Sequence, residues 1–244
     1  MDSGFYAACT GLRAQSQALE VAAHNLANLN TAGFRGQQTA FQSLIALARP
    51  ASAGVLNQTI NNYGVLEGSH LDRSAGNLEK TGNPLDLAIQ GDGFFAIQTS
   101  RGTRYTRNGS FQVSPTGELV TANGDPVLGE AGAIRVPSGA VSISADGTLS
   151  VKGAVAGRVR LTEFSPDTSL TSEGQTLLTA PEGSALPARH TSVLQGAIES
   201  SNVNAIEATV NLIGVQRQAE MMQRALTLFY SEFNRIAAGD LPRV

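Results

Sequence analysis

The chain has 244 residues and a net charge of −3, with 15% charged and 5% aromatic residues, no tryptophan and 26 glycines. With no basic cluster, nucleic acid and anionic membranes are not expected partners, and so few aromatics do not suit a dense enzyme core. A single cysteine, Cys9, excludes an internal disulfide framework and is expected to be a small buried hydrophobe.

From Phe5 an apolar stripe steps by three and four through Ala8, Leu12, Gln15, Leu19, Ala22, Leu26 and Leu29. That period predicts a helix within residues 1–34. From Gly4 to Phe34 its only charges are Arg13 and Glu20, so most faces suit an interior. Gln15 interrupts the stripe and predicts a polar neighbour on the partner. The helix should stop at Asn30-Thr31-Ala32-Gly33-Phe34, with Gly33 left-handed and Phe34 folded back onto the last turn. Asn28, Asn30, Gly33 and Phe34 are the expected turn positions. No basic segment precedes this helix, and no apolar run reaches signal-peptide or membrane-span length.

Residues 35–80 are rich in Gly, Ser, Asn and Gln and predict an extended connector with short strands. A compact antiparallel β domain is expected over 81–190. Leu85 to Ile89 alternates, Asp92-Gly93 predicts a hairpin, and Phe94 to Ile97 supplies the return strand. Further turns are expected at Asn108-Gly109, Pro115-Thr116-Gly117, Asn123-Gly124 and Asp146-Gly147. The segment Val113 to Leu119 echoes Ile143 to Leu149, predicting two hairpins of one design.

Residues 191–204 are expected as a return connector. Asn204 and Glu207 have capping-box spacing, opening a helix over 205–244. Its stripe runs Ala205, Ala208, Leu212, Val215, Ala219, Met222, Leu226, Phe229, Phe233 and Ile236. Arg217, Glu220 and Arg224 form a solvated or inter-subunit face, with Glu220 and Arg224 at a favourable spacing. Gly214 weakens the helix interior by ~1 kcal/mol and suggests close helix approach. The expected class is α+β: N- and C-terminal helices forming a coiled-coil-like assembly domain, with a central antiparallel all-β domain. The ends are expected to need helical partners beyond each other.

No catalytic, cofactor or metal site is expected. Gly91-Asp92-Gly93-Phe94-Phe95-Ala96 has the letters of a dinucleotide fingerprint, but a strand follows where the pyrophosphate needs a helix. His24, His70 and His190 share no ligand spacing. A nucleophile elbow is absent, and the Asp-Gly and Asn-Gly pairs lack the alternating oxygens of a calcium loop.

Four segments resemble signatures of the bacterial flagellar rod and hook proteins. They are Asn25 to Phe34, Leu85 to Phe95, Tyr105-Thr106-Arg107-Asn108-Gly109-Ser110-Phe111, and Glu199-Ser200-Ser201-Asn202-Val203-Asn204. Length and the single β region resemble the proximal rod branch most, with the distal rod branch as near relative. The resemblance implies a structural, non-enzymatic subunit of the basal-body rod, which crosses the periplasm and transmits torque. It also implies type III export without a cleaved signal and helical assembly with copies of itself and other rod and hook proteins. The implied interface is Phe5, Ala8, Leu12, Leu19, Leu26 and Leu29 with Leu212, Val215, Ala219, Met222, Leu226, Phe229 and Phe233. Gly93, Asn108, Gly109 and Gly117 join the turn positions. A distal rod or hook subunit is the near alternative, and an exported β-rich ligand-binding module the alternative from another class.

Overall fold

The computed structural model describes residues 2–41, 66–189 and 191–239, with side chains described for 11–38, 70–189, 191–228, 230 and 231. It divides into two compact units, the first holding the chain's two ends and the second residues 27–36 and 70–204.

In the first unit the alanine-rich N-terminal stretch forms α1 (Asp2–Ala27), and the C-terminal stripe forms α2 (Ala205–Gly239). Asn204 and Glu207 fall at the cap and third positions of α2, as their spacing predicts. After α1 the chain enters β1 (Gln37–Phe41), which pairs with β2 (Leu66–Leu71). Asn25 ties α1 to β1. Its side-chain amide donates to the Gln37 carbonyl at 2.7 Å and accepts from the Gln37 N–H at 2.9 Å. Among the described residues no helix is long and apolar enough to cross a membrane.

In the second unit short β-branched and aromatic runs between Gly-containing turns form the remaining strands. They are β3 (Leu78–Lys80), β4 (Leu87–Gln90), β5 (Phe94–Thr99), β6 (Gly102–Thr106), β7 (Phe111–Val113) and β8 (Leu119–Thr121). Next come β9 (Leu128–Gly129), β10 (Gly132–Ala133), β11 (Val141–Ile143), β12 (Thr148–Val151), β13 (Ala154–Arg158) and β14 (Leu161–Glu163). The series ends with β15 (Thr171–Glu173), β16 (Leu177–Thr179), β17 (Leu186–Pro187), β18 (Ser192–Gln195) and β19 (Ala197–Glu199). The largest sheet has the order β15-β16-β6-β5-β14-β17 and is antiparallel in every pairing.

β5 separates two cores by the alternation of its side chains. Phe95 and Ile97 join Leu87, Leu119, Val127 and Leu149 in the larger cluster. Phe94 joins Phe164, Leu170 and Leu178 in the smaller. Phe95 meets Phe111 edge-on at 5.0 Å, and Tyr105 meets Phe164 at 4.8 Å. Burying each large side chain contributes about 1.5–3 kcal/mol, so this one strand anchors much of the unit.

The echoed segments are hairpins of one design. In the first, β7 to β8, Ser114 N–H donates to the Glu118 carbonyl at 2.8 Å and Gly117 has φ 80°. In the second, β11 to β12, Ser144 N–H donates to the Thr148 carbonyl at 2.9 Å and Gly147 has φ 83°.

Three expectations need correction. β4 and β5 are not a hairpin, because β4 pairs with β18 and β5 with β6 and β14. Asp92-Gly93 is instead an elbow between sheets, entered through Gly91 at φ 105° and packed so that a Cβ on Gly93 would lie 2.7 Å from Thr191 Cγ2. α1 ends at Ala27, three residues before the expected stop at Asn30 to Phe34. A turn follows, with Thr31 N–H donating to the Asn28 carbonyl and Phe34 N–H to the Thr31 carbonyl, both at 3.2 Å. Gly33 is left-handed at φ 67° as expected, but its N–H serves the Glu199 carbonyl at 2.7 Å rather than capping the helix. Finally, residues 191–204 carry β18 and β19, the latter paired with β3.

Candidate assembly surface and buried ion-pair junction

The two terminal helices meet within one chain. Gln15 Nε2 donates to the Val215 carbonyl at 2.8 Å and to Gln218 Oε1 at 3.2 Å. A Cβ on Gly11 would sit 3.4 Å from Met222 Cε. Rising numbers on α1 match falling numbers on α2, so the pair is antiparallel. Gln15 thus finds the polar neighbour its place in the stripe predicts.

The fully buried face of α1 is Ala14, Ala18 and Ala22, one face at i, i+4 spacing. Leu12, Leu19, Leu26 and Leu29 are only half-buried, as are Leu212, Val215, Ala219, Met222 and Leu226 on α2. Ala208 is buried. The side chains of Phe5, Ala8, Cys9, Phe229, Phe233 and Ile236 lie outside the described residues. His190 also lies outside them. A Cβ on Gly214 would meet nothing within 4 Å among the described residues, so the expected close approach is not seen there inside this chain.

α2 also carries a second apolar stripe that the sequence reading passed over. Ile206, Val210, Ile213, Met221 and Leu228 are exposed, from 45% at Ile213 to 76% at Ile206. At about 100° per residue they lie roughly opposite the first stripe, with exposed Arg217 and Arg224 among them. Their three-and-four spacing is visible in the sequence, and a helical projection of both faces would have found it.

The second unit holds a buried charge cluster. Arg35 follows the turn after α1, Arg107 follows β6, and Glu199 ends β19. Arg35 Nη2 lies 2.7 Å from Glu199 Oε1, and Arg107 Nη1 lies 3.1 Å from Oε2. Their side chains are 3%, 3% and 1% exposed. Gly76 N–H also donates to Oε1 at 2.8 Å. The outer ends of the arginines are held by backbone, Arg35 by the Ser74 carbonyl and Arg107 by the Gly91 carbonyl. Arg107 also stacks over Phe94, its Cζ 5.0 Å from the ring centroid. Burial pulls both guanidinium groups below their ordinary pKa, and Glu199 opposes that shift.

Glycines make this junction possible. A Cβ on Gly33 would lie 2.1 Å from Asn108 N, and one on Gly76 would lie 2.0 Å from the Ser200 carbonyl oxygen. Gly33 therefore abuts the Asn108-Gly109 segment, while Gly117 stands apart in its hairpin. Arg107 and Glu199 stand in motifs that are legible in the sequence, but the role of their charges is not. The available signal was charge inside otherwise neutral motifs of a sparsely charged chain.

Three family models match the chain. Residues 5–35 match the flagella basal body rod protein model, 88–151 the FlgE/F/G D1 domain of flagellar hook protein, and 194–228 the C-terminal model of flagellar basal body rod FlgEFG protein. Arg35, Arg107 and Glu199 come one from each matched segment. Two terminal helices and a β unit, with these matches, define a structural protein of the bacterial flagellar axis.

The chain is 38% identical to the flagellar basal-body rod protein FlgF of Escherichia coli (strain K12), over 93% of this chain and 94% of that one. It is 35% identical to the rod protein FlgG of Buchnera aphidicola subsp. Baizongia pistaciae, over 93% and 95%. It is 31% identical to the FlgF of Caulobacter vibrioides, over 97% and 98%. The chain belongs to the family of flagellar basal-body rod proteins FlgF and FlgG, as a structural rod subunit.

Proposed function

We propose that this protein is a proximal rod subunit that polymerises through its terminal helices. Residues 1–34 and 205–244 form the assembly domain, residues 35–80 connect it, and residues 81–190 with the strands of 191–204 form the β body. Copies of the chain and other rod and hook proteins stack into a hollow helical axis that carries torque across the periplasm. The subunit reaches that site through the flagellar type III export apparatus without a cleaved signal, and it performs no catalysis.

The exposed stripe of α2 is the observation that carries this reading. A surface helix normally keeps one apolar face inward and the other polar. α2 meets α1 on one side and leaves Ile206, Val210, Ile213, Met221 and Leu228 exposed on the other. Aliphatic surface of that extent marks a site for further helices. Contacts that run head to tail without closing a ring then give an open helical polymer.

The test is incorporation. Leu19→Asp, Leu226→Asp and Ile213→Asp are each expected to abolish entry into the rod while the β body keeps its thermal transition. Normal motility in any of these strains would remove that position from the assembly surface. Electron microscopy of basal bodies from a deletion strain would place the subunit along the axis by where assembly stops.

A further inference from the structure

The structure assigns Glu199 a role as a shared clasp: the segment 33–36 leaving α1 and the segment 199–202 leading to α2 are seated together or released together. Each brings a buried charge that the other requires. Glu199 faces Arg35 at 2.7 Å and Arg107 at 3.1 Å, with all three side chains removed from water.

Consider the return segment undocked. Arg35 and Arg107 would then share a dry site without their carboxylate, leaving two like charges buried side by side. Asp72 and Asp92 also act on Arg35, and Asp92 on Arg107, but each contributes less than Glu199. Among the described residues the Nε atoms of both arginines have no hydrogen-bond partner. A buried charge deprived of its partner is costly enough that Arg35 should leave with Glu199.

Backbone bonds make the coupling reciprocal. Gly33 N–H donates to the Glu199 carbonyl at 2.7 Å, and Asn202 N–H to the Phe34 carbonyl at 3.3 Å. Gly36 N–H donates to Asn202 Oδ1 at 2.7 Å. The stretch 72–77 is bonded to both segments: Asp72 N–H donates to the Gly36 carbonyl at 2.8 Å, Ser200 N–H to the Asn77 carbonyl at 2.8 Å, and Asn202 Nδ2 to the Ser74 carbonyl at 3.0 Å. The chain runs from these two segments into α1 and α2, so one event frees the roots of both helices. This role rests on the junction alone and is independent of the assembly reading.

Amide hydrogen exchange on the full chain tests it. In Glu199→Gln, which keeps size and removes charge, the amides of Gly33, Gly36, Ser200 and Asn202 should all exchange at least about tenfold faster. Ala96 and Gln98 on β5 should be unchanged. Arg35→Met should give the same set of accelerated amides from the opposite side. Acceleration confined to the mutated segment, or none at all, would overturn the clasp; so would equal acceleration on β5, which would make the junction part of global unfolding. Native-state exchange of the unmodified protein in rising urea needs no variant to fold. The four amides should share one opening transition below that of β5, and separate transitions would overturn the idea.

Discussion

Gln15 on α1 reaches the carbonyl of Val215 on α2 at 2.8 Å, across 200 residues of sequence. A polar side chain inside an apolar seam fixes how two helices align, because sliding breaks its bond. Gln15→Ala removes the bond and costs about 1 kcal/mol. Exchange at the Ala14 and Ala18 amides should therefore rise about fivefold, with β5 amides unchanged. Unaltered exchange on α1 would mean the bond contributes nothing to the helix pair.

The two echoed hairpins end in equivalent leucines, Leu119 and Leu149, and neither is exposed to solvent. Both belong to the larger core cluster. Leu119→Ala and Leu149→Ala should each destabilise the β body by about 2–5 kcal/mol, through lost burial and the cavity left behind. Urea denaturation would measure both. A loss well under 1 kcal/mol at either site would show that the two hairpins are not equivalent in packing.

Local chemistry made part of this fold legible. Period-3.6 stripes placed both helices, and Gly117 and Gly147 placed their hairpins because a positive φ is a property of the glycine itself. What stayed hidden depends on partners distant in sequence. Nothing around Leu87 says that β4 pairs with Ser192–Gln195 rather than with β5. The turn at Lys152-Gly153 was missed because lysine rarely takes positive φ, yet it sits at 51° beside Gly153 at 83°. The candidate site divided the same way. The first α2 stripe and Gln15 were visible as patterns, whereas the Arg35, Arg107 and Glu199 cluster exists only after three segments fold together.

Glycines of the second unit separate two kinds of constraint. Gly109 lies so close to β4 that a Cβ would sit 1.7 Å from the Leu87 carbonyl oxygen, a clash with backbone that cannot rotate away. Gly124 has φ 87° but nothing within 4 Å. Gly124→Ala should cost only its backbone strain, about 1–2 kcal/mol. Gly109→Ala must displace β4 and should cost about 3 kcal/mol or more. Chemical denaturation of the two variants would show the order, and a smaller loss at Gly109 would contradict the close approach.

Glu173 at the edge of the large sheet links β15 to β6 through Arg104, with Arg101 alongside. The Arg104 hydrogen bond holds its carboxyl below the ordinary glutamate range. A depressed pKa means that the unfolded chain binds the proton more readily. The stabilisation is therefore present above the ordinary carboxylate range and is lost as pH falls through the lowered value. Arg101 is largely exposed, so its share is screened by solvent. Glu173→Gln should melt below the unmodified protein at neutral pH, and the gap should close as the solution is acidified. Thermal transitions recorded from pH 7 down to about pH 3 would test this, since a gap independent of pH would assign the loss to packing rather than to charge.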